Sequence, residues 1–198
     1  MIRMTFLLML LAAAASASSI RHINLSELTS TAQLVFEGIV LEKRVLHEKG
    51  SRTIRTQVTF EVLEVLKGGF SGERLTLSFL GGRTSDLVLE VSDLRMPRVG
   101  ERGIYFVESL ERPLVNPLVG WHQGHYLIEE EAGRATPVVK TLQGRAVFDL
   151  VDDMRGPGDT FVSRPGSARG VILEQSGEQS RPMTPAEFKR RLLRMMGE

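Results

Sequence analysis

Apolar and polar side chains alternate along several stretches of the chain, and this period of two predicts β-strands. In the clearest stretch, residues 56 to 62, one face carries Thr56, Val58, Phe60 and Val62. The alternation slips by one residue near Leu63, which predicts a β-bulge and therefore a bend. A straight strand from 53 to 66 would be about 45 Å long. We therefore expect this strand to curl, as the strands of a closed barrel do.

Further strands are predicted where short apolar stretches are separated by turns that contain glycine or proline. They cover residues 34–41, 74–80, 103–107, 120–128 and 136–140. Strands at this spacing favour a mainly β barrel or sandwich over an α/β fold. A short helical or turn segment precedes the first strand, with Asn24 or Ser26 as its N-cap.

Residues 183–198 show a helical pattern with a clear start signal. Thr184 is the predicted N-cap, Pro185 is the first helical residue, and Glu187 completes a capping box. The apolar stripe of this helix consists of Phe188, Leu192 and Met195. We expect this amphipathic helix to dock on the barrel, the alternative being a partner.

The first seventeen residues have the three parts of a secretory signal peptide. Arg3 provides the positive charge, residues 6–15 are uninterruptedly apolar, and residues 15–17 form an A-x-A-like cleavage site. The apolar stretch is too short for an uncleaved membrane anchor, which needs about 20 residues. The sequence predicts cleavage near Ala17 and Ser18 and export to the periplasm or the extracellular space, with no transmembrane segment in the mature chain.

Charge and cysteine content narrow the classes of function. The chain has 25 basic and 24 acidic residues and no cysteine. Removal of the leader removes Arg3 and no acid, so the mature chain has a formal net charge of zero. Nucleic-acid binders concentrate positive charge, and we therefore predict no nucleic-acid partner. Without cysteine, the exported domain has no disulfides and depends on its core for stability.

Four segments of the sequence resemble a known family, at residues 32–40, 58–68, 99–106 and 120–126. The second ends in Leu-Lys-Gly, and the last contains Trp121. Together they resemble uncharacterised secreted bacterial proteins and, more distantly, the OB-like barrel of tissue inhibitors of metalloproteinases and netrin modules. The resemblance implies a small closed or partly open OB-like barrel. The inhibitors' N-terminal Cys, which binds the protease zinc, has no counterpart in this chain.

The resulting organisation has four parts. Residues 1–17 are the signal peptide and residues 18–150 the OB-like β-barrel domain. Residues 151–182 are rich in Gly, Pro and Ser and are predicted to be a flexible linker, with 170–173 as its candidate strand. The C-terminal helix, residues 183–198, follows.

The candidate binding residues lie in one short segment of the sequence, residues 121–126. Trp121, His122, His125 and Tyr126 are the candidate partner-binding residues, at the mouth of the expected barrel. The two histidines are three apart, a spacing that places strand residues on opposite faces, and no third ligand is evident, so no metal site is predicted. No catalytic residue and no cofactor are predicted either, because no nucleophile elbow or phosphate-binding loop occurs.

The sequence therefore predicts an exported, non-enzymatic binding module of the OB-like barrel type, with a protein or glycan partner. OB barrels commonly bind oligosaccharides or oligonucleotides on one face. The alternative is an exported hydrolase, or a protease-associated accessory protein or inhibitor, whose site is not visible in the sequence. The two differ in that an enzyme needs a pocket with convergent polar groups.

Overall fold

The computed structural model describes residues 21–47, 50–151, 166–173 and 181–197. The predicted signal peptide lies outside the described residues, as does most of the predicted linker. Within these residues the fold is mainly β, as expected, with one large antiparallel sheet and two helices. Among the described residues, no helix is long and apolar enough to cross a membrane.

The described residues form helices and strands, which are numbered in chain order. The helices are α1 (Leu25–Thr31) and α2 (Pro185–Met196), and Trp121–Gly124 forms a 3-10 helical turn. The longer strands are β1 (Leu34–His47), β2 (Ile54–Lys67), β3 (Arg74–Leu80), β6 (Arg102–Val107) and β7 (His125–Glu129). The shorter ones are β4 (Gly82–Arg83), β5 (Val88–Leu89), β8 (Val138–Thr141), β9 (Val147–Leu150) and β10 (Val171–Leu173).

Six strands form the main sheet in the order β3-β2-β1-β6-β7-β8, and every neighbouring pair is antiparallel. Two small sheets, β9 with β10 and β4 with β5, accompany it. Within the described residues, no strand pairing joins β3 to β8, so closure of the expected barrel is not found. Strand β10 lies inside the segment predicted as a linker, and it pairs with β9.

The long hairpin β1–β2 is irregular, as the slipped alternation predicts. Val62 pairs with Gly38 and Glu64 pairs with Glu37, so Leu63 is an extra residue in β2. This confirms the predicted bulge. Bulges bend a strand and increase its twist, and Gly38 fits the bend because a Cβ there would lie 2.7 Å from the Glu61 carbonyl oxygen.

One face of the sheet is covered by an apolar cluster rich in rings, which we name the aromatic cluster. Its buried members are Leu34, Phe36, Val40, Val58, Phe60, Leu75, Leu77, Phe79, Tyr105, Val107 and Leu118. Phe60 lies at its centre, with its ring centroid 5.4 Å from that of Phe36 and 4.8 Å from that of Tyr105. The predicted inward face of β2 is thus buried.

The opposite face is covered by the helices and the small sheet β9–β10, and we name this the helix-side cluster. Its buried members are Ile23, Leu25, Leu28, Ala32, Val35, Leu66, Ile104, Phe106, Val119, Tyr126, Ile128, Val139, Val147, Leu150, Ala168, Val171, Leu173, Met183, Phe188 and Leu192. Neighbouring residues of β1 and β6 alternate between the two clusters, as strand geometry requires. Both faces of this part of the sheet are therefore buried.

Helix α2 begins with the predicted capping box. The Thr184 hydroxyl accepts a hydrogen bond from the Glu187 backbone N–H, and the Glu187 carboxylate accepts one from the Thr184 N–H at 3.0 Å. Phe188 and Leu192 are fully buried in the helix-side cluster, with Met195 packed against it. The apolar stripe of α2 thus packs against the chain's own sheet.

The Leu-Lys-Gly ending of β2 holds helix α1 in place. The Lys67 ammonium donates to the backbone carbonyls of Thr29 and Ala32, at 2.6 and 2.7 Å. These carbonyls lie at the C-terminal end of α1, where a positive charge is favourable. Gly68 has a φ of +94°, and a Cβ there would lie 2.4 Å from the Gln33 carbonyl oxygen, so glycine is required.

Candidate functional site

The four sequence-predicted binding residues do not share one surface. Trp121 and His122 lie in the 3-10 helical turn and are half-buried, whereas His125 and Tyr126 are buried in β7. As neighbours in a strand, these two face opposite sides of the sheet. The His125 ring packs 4.7 Å from Tyr105 of the aromatic cluster, and the Tyr126 ring packs 5.1 Å from Phe188 of α2.

The 3-10 turn has an unusual backbone. Gly120 and Trp121 both have left-handed conformations, with φ values of 58° and 60°. A positive φ is rare for a bulky residue and indicates local strain. The buried Gln123 holds the turn, because its amide accepts from the Ile23 N–H and donates to the Arg21 carbonyl, both at 3.0 Å.

His125 forms a small polar network with Glu101 and Tyr105 at the border of the aromatic cluster. Its Nε2 lies 2.8 Å from Glu101 Oε1, and the Tyr105 hydroxyl lies 3.4 Å from the same oxygen. Burial lowers the pKa of His125, and the Glu101 carboxylate opposes this only in part. His125 is therefore neutral at neutral pH, and a neutral ring that donates from Nε2 to Glu101 carries an acceptor at Nδ1.

The surroundings of His125 give it a packing role. The His125 side chain is 0% exposed, and Nδ1 has no hydrogen-bond partner in the described part of the chain. No group of three or more His, Cys, Asp or Glu residues that could hold a metal ion occurs among the described residues. In this conformation a partner in solution reaches neither nitrogen of the ring.

Burial also shifts the pKa values of two other predicted residues, His122 and Tyr126. Burial lowers the pKa of His122, with His22 acting in the same direction and Asp93 opposing it. Burial raises the pKa of Tyr126, and the nearby Ala168 backbone opposes this. The Tyr126 hydroxyl makes no hydrogen bond of standard geometry within the described residues, so Tyr126 acts mainly as a core ring.

A different part of the molecule forms a concave polar surface, between α2 and β9. This cleft has a volume of about 310 Å³. It is lined by Phe148, Asp149, Arg181, Met183, Glu187, Arg190, Arg191 and Arg194, and we name it the arginine cleft. Four arginines and two carboxylates give its lining a formal charge of +2.

Two of the four arginines are neutralised within the cleft. Arg181 forms a two-pronged pair with Glu187, one of whose hydrogen bonds is 2.9 Å long. Arg191 donates to the Leu150 carbonyl at 2.9 Å and lies 3.3 Å from an Asp149 carboxylate oxygen. Arg181 and the Thr184 N–H lower the pKa of Glu187 to about 2, so this carboxylate stays ionised.

The other two arginines supply the excess positive charge. Arg190 and Arg194 are exposed on one side of α2, and neither pairs with a carboxylate of the described residues. Arg194 Nε reaches only the Arg190 carbonyl, at 3.4 Å. Among the described residues, Arg190 and Arg194 therefore carry the charge that the two carboxylates of the cleft leave unbalanced.

The sequence indicated only part of this surface. Arg190 and Arg194 lie off the apolar stripe of α2, where a solvated outer face is the expectation. The packing of α2 against β9 brings Arg181, Asp149 and Phe148 beside them, and no local pattern specifies that contact.

Compared with protein-family models, curated proteins and solved structures, the chain matches none.

Proposed function

We propose that this protein is an exported, non-enzymatic binding module that recognises a carboxylate-bearing protein or glycan through the arginine cleft. The observation that carries the proposal is the excess of positive charge in a concave site, with Arg190 and Arg194 unpaired among the described residues. Guanidinium groups are planar, always charged and suited to two-pronged hydrogen bonding with carboxylates.

The lining of the cleft favours a discrete acidic group over a long polyanion. Its charge of +2 is local, and the mature sequence as a whole has a formal net charge of zero. Phe148 and Met183 add apolar surface to the lining, which suits a sugar ring or a side-chain stem next to a carboxylate. Nucleic-acid binding depends instead on many phosphate contacts along a basic surface.

The OB-like barrel and the export of the chain belong to the same proposal. The bulges in the β1–β2 hairpin support the barrel because they curl these two strands.

Export rests on residues 1–17, and the intact mass of protein released by its host is expected to correspond to a chain that begins at Ser18, within a residue or two. A released chain that still carries residues 1–17 contradicts this.

The cleft is tested by removing the charges of Arg190 and Arg194. The variant Arg190→Ala/Arg194→Ala is expected to bind a short acidic oligosaccharide such as trigalacturonate, or a short peptide with one or two Glu residues, at least about tenfold more weakly than the unchanged protein. Isothermal titration calorimetry at two salt concentrations measures this, with neutral dextran as the negative ligand. The salt dependence of binding is also expected to decrease in the variant.

The matched control removes two arginines elsewhere. In the variant Arg83→Ala/Arg134→Ala, both substituted residues lie in surface ion pairs, with Glu90 and Glu131. This control is expected to bind like the unchanged protein. Equal affinity of the cleft variant and the control, or no binding of either carboxylate ligand, contradicts the proposal.

A further inference from the structure

The strand that forms one wall of the arginine cleft is irregular at Phe148. In the pairing of β9 with β10, Asp149 lies opposite Ile172 and Val147 lies opposite Leu173, so Phe148 is an extra residue without a partner. An extra residue of this kind is a β-bulge, which bends the strand and re-aims a side chain. Both Phe148 and Asp149 line the cleft, although neighbouring residues of a regular strand face opposite sides.

The Phe148 side chain lies outside the apolar core. It is partly buried, but it belongs to neither apolar cluster of the described residues. The ring pairs found among these residues do not include it. Val147 and Leu150 of the same strand are, by contrast, buried in the helix-side cluster. The bulge therefore places a flat aromatic surface in the cleft, beside the guanidinium groups.

The cleft also has a hydrogen-bond acceptor next to this ring. The Asp149 side chain is 45% exposed, and its carboxylate accepts from Arg191 at 3.3 Å and from the Leu150 N–H at 2.8 Å. An ionised carboxylate accepts up to about four hydrogen bonds, so Asp149 can accept from a further donor. Glu187, the other carboxylate of the lining, is occupied by Arg181 and by the backbone at the start of α2.

We propose that the arginine cleft binds a uronic acid residue of a glycan. The carboxylate of the sugar pairs with Arg190 and Arg194. The C–H face of its ring lies on Phe148, and a ring hydroxyl donates to Asp149. The face of an aromatic ring carries partial negative charge, which attracts the weakly positive C–H groups of a sugar. This inference rests on the proposed function and narrows its ligand from acidic proteins and glycans to acidic sugars.

The mixed chemistry of the lining favours a sugar over an acidic peptide. A uronic acid combines a carboxylate, several hydroxyl groups and an apolar face, and the cleft has a counterpart for each. A Glu side chain brings a carboxylate on two methylene groups and no hydroxyl, so it leaves Asp149 unmatched and is repelled by it. The cleft volume of about 310 Å³ lies at the lower end of the about 300–1,000 Å³ typical of small-ligand sites, which suits a single ring with its substituents.

Removal of the Phe148 ring tests the sugar separately from the charge. Trigalacturonate is compared with an N-acetylated, C-amidated peptide of three Glu residues, so that both ligands carry three carboxylates, and maltotriose is the uncharged sugar. Isothermal titration calorimetry is expected to show that the unchanged protein binds trigalacturonate at least about tenfold more tightly than either other ligand. Phe148→Ala is expected to weaken trigalacturonate binding about tenfold and peptide binding less than about twofold.

Two further variants control for the ring and for the fold. Phe148→Trp keeps a flat aromatic face and is expected to bind trigalacturonate within about threefold of the unchanged protein. Phe70→Ala removes a partly buried ring outside the cleft and is expected to leave the affinity unchanged. Circular dichroism checks that each variant is folded.

The outcomes distinguish this inference from the proposed function. If Phe148→Ala binds trigalacturonate like the unchanged protein, or the unchanged protein binds sugar and peptide equally, the inference is overturned. The proposed function then still stands if Arg190→Ala/Arg194→Ala loses affinity for both acidic ligands. Unchanged trigalacturonate binding in this arginine variant, or maltotriose bound as tightly as trigalacturonate, overturns both.

Discussion

The two faces of the main sheet are both buried, but they are built in different ways. The aromatic cluster draws its buried residues from between Leu34 and Leu118, mostly from hairpin-connected strands. The helix-side cluster draws its residues from between Ile23 and Leu192, and α1, α2 and β10 all contribute. The first face therefore depends on strands that are close in sequence, whereas the second is complete only when both ends of the described chain are in place.

The two faces also accommodate polar groups differently. On the aromatic side, His125 and Glu101 form a pair in which burial lowers the pKa of the histidine. On the helix side, the Glu37 side chain is 2% exposed and pairs with Lys189 of α2, at 2.6 Å, and with Arg102. The aromatic side thus holds His125 in its neutral form, whereas on the helix side Lys189 of α2 helps to keep the buried Glu37 carboxylate ionised.

The largest effect is expected in the aromatic cluster. Phe60→Ala removes a fully buried ring that contacts two others, and we expect it to lower the free energy of unfolding by about 3–5 kcal/mol. Phe70→Ala, at the partly buried border of the same cluster, is the control and should have a smaller effect. Urea unfolding measures both, and an unchanged midpoint for Phe60→Ala contradicts the assigned face of β2.

A somewhat smaller effect is expected for the ring that anchors α2. Phe188→Ala should lower the free energy of unfolding by about 3 kcal/mol, because the helix can shift to fill part of the cavity. Arg190→Ala, on the exposed side of the same helix, should change it by less than about 0.5 kcal/mol. Equal melting temperatures for the two variants would show that α2 does not pack on the sheet in solution.

The ion pair that joins α2 to the sheet should contribute less. Lys189→Met leaves Arg102 as a partner of Glu37, so we expect a loss of about 1–3 kcal/mol in the free energy of unfolding. Lys140→Met, which breaks the more exposed pair with Glu129, is the matched control and should lose less than about 1 kcal/mol. Thermal unfolding at neutral pH distinguishes the two variants.

The same ion pair predicts a response to acid. Burial raises the pKa of Glu37, but the hydrogen bonds and charges of Lys189 and Arg102 outweigh burial, and the pKa is lowered overall from 4.5. The stabilisation is therefore complete above about pH 4.5 and is lost as the pH falls through the lower folded-state pKa. In Lys189→Met the folded-state pKa of Glu37 moves back toward 4.5, so less stability should be lost on acidification, and identical acid-unfolding curves would contradict this.

The smallest effect is expected from His125. Its folded-state pKa lies below 6.5, so the unfolded chain binds more protons in this range. The stabilisation from a neutral His125 is complete above about pH 6.5 and is lost as the pH falls through the folded-state pKa. NMR titration of the imidazole ring measures this pKa, and a value above 6.5 would show that the Glu101 carboxylate, and not burial, dominates.

Local patterns predicted the individual elements well because the forces that form them are local. The capping box at Thr184 and the bulge at Leu63 depend on residues a few positions apart, and both are present. The candidate site depends on long-range packing. His125 and Tyr126 are neighbours in the sequence, yet strand geometry places them on opposite faces of the sheet, beside Tyr105 and Phe188 respectively. Arg191 and Asp149 meet only because α2 packs against β9, which no short pattern encodes.

The position of the two helices has a consequence for the order in which the fold is completed. Helix α1 and helix α2 contact each other across the helix-side cluster, although about 150 residues lie between them. A chain that is still emerging from a ribosome or a narrow pore therefore holds an aromatic cluster with one face of the sheet uncovered. That apolar face stays exposed until α2 has emerged and packs against it, so the interval before α2 emerges is when the chain is most prone to aggregation.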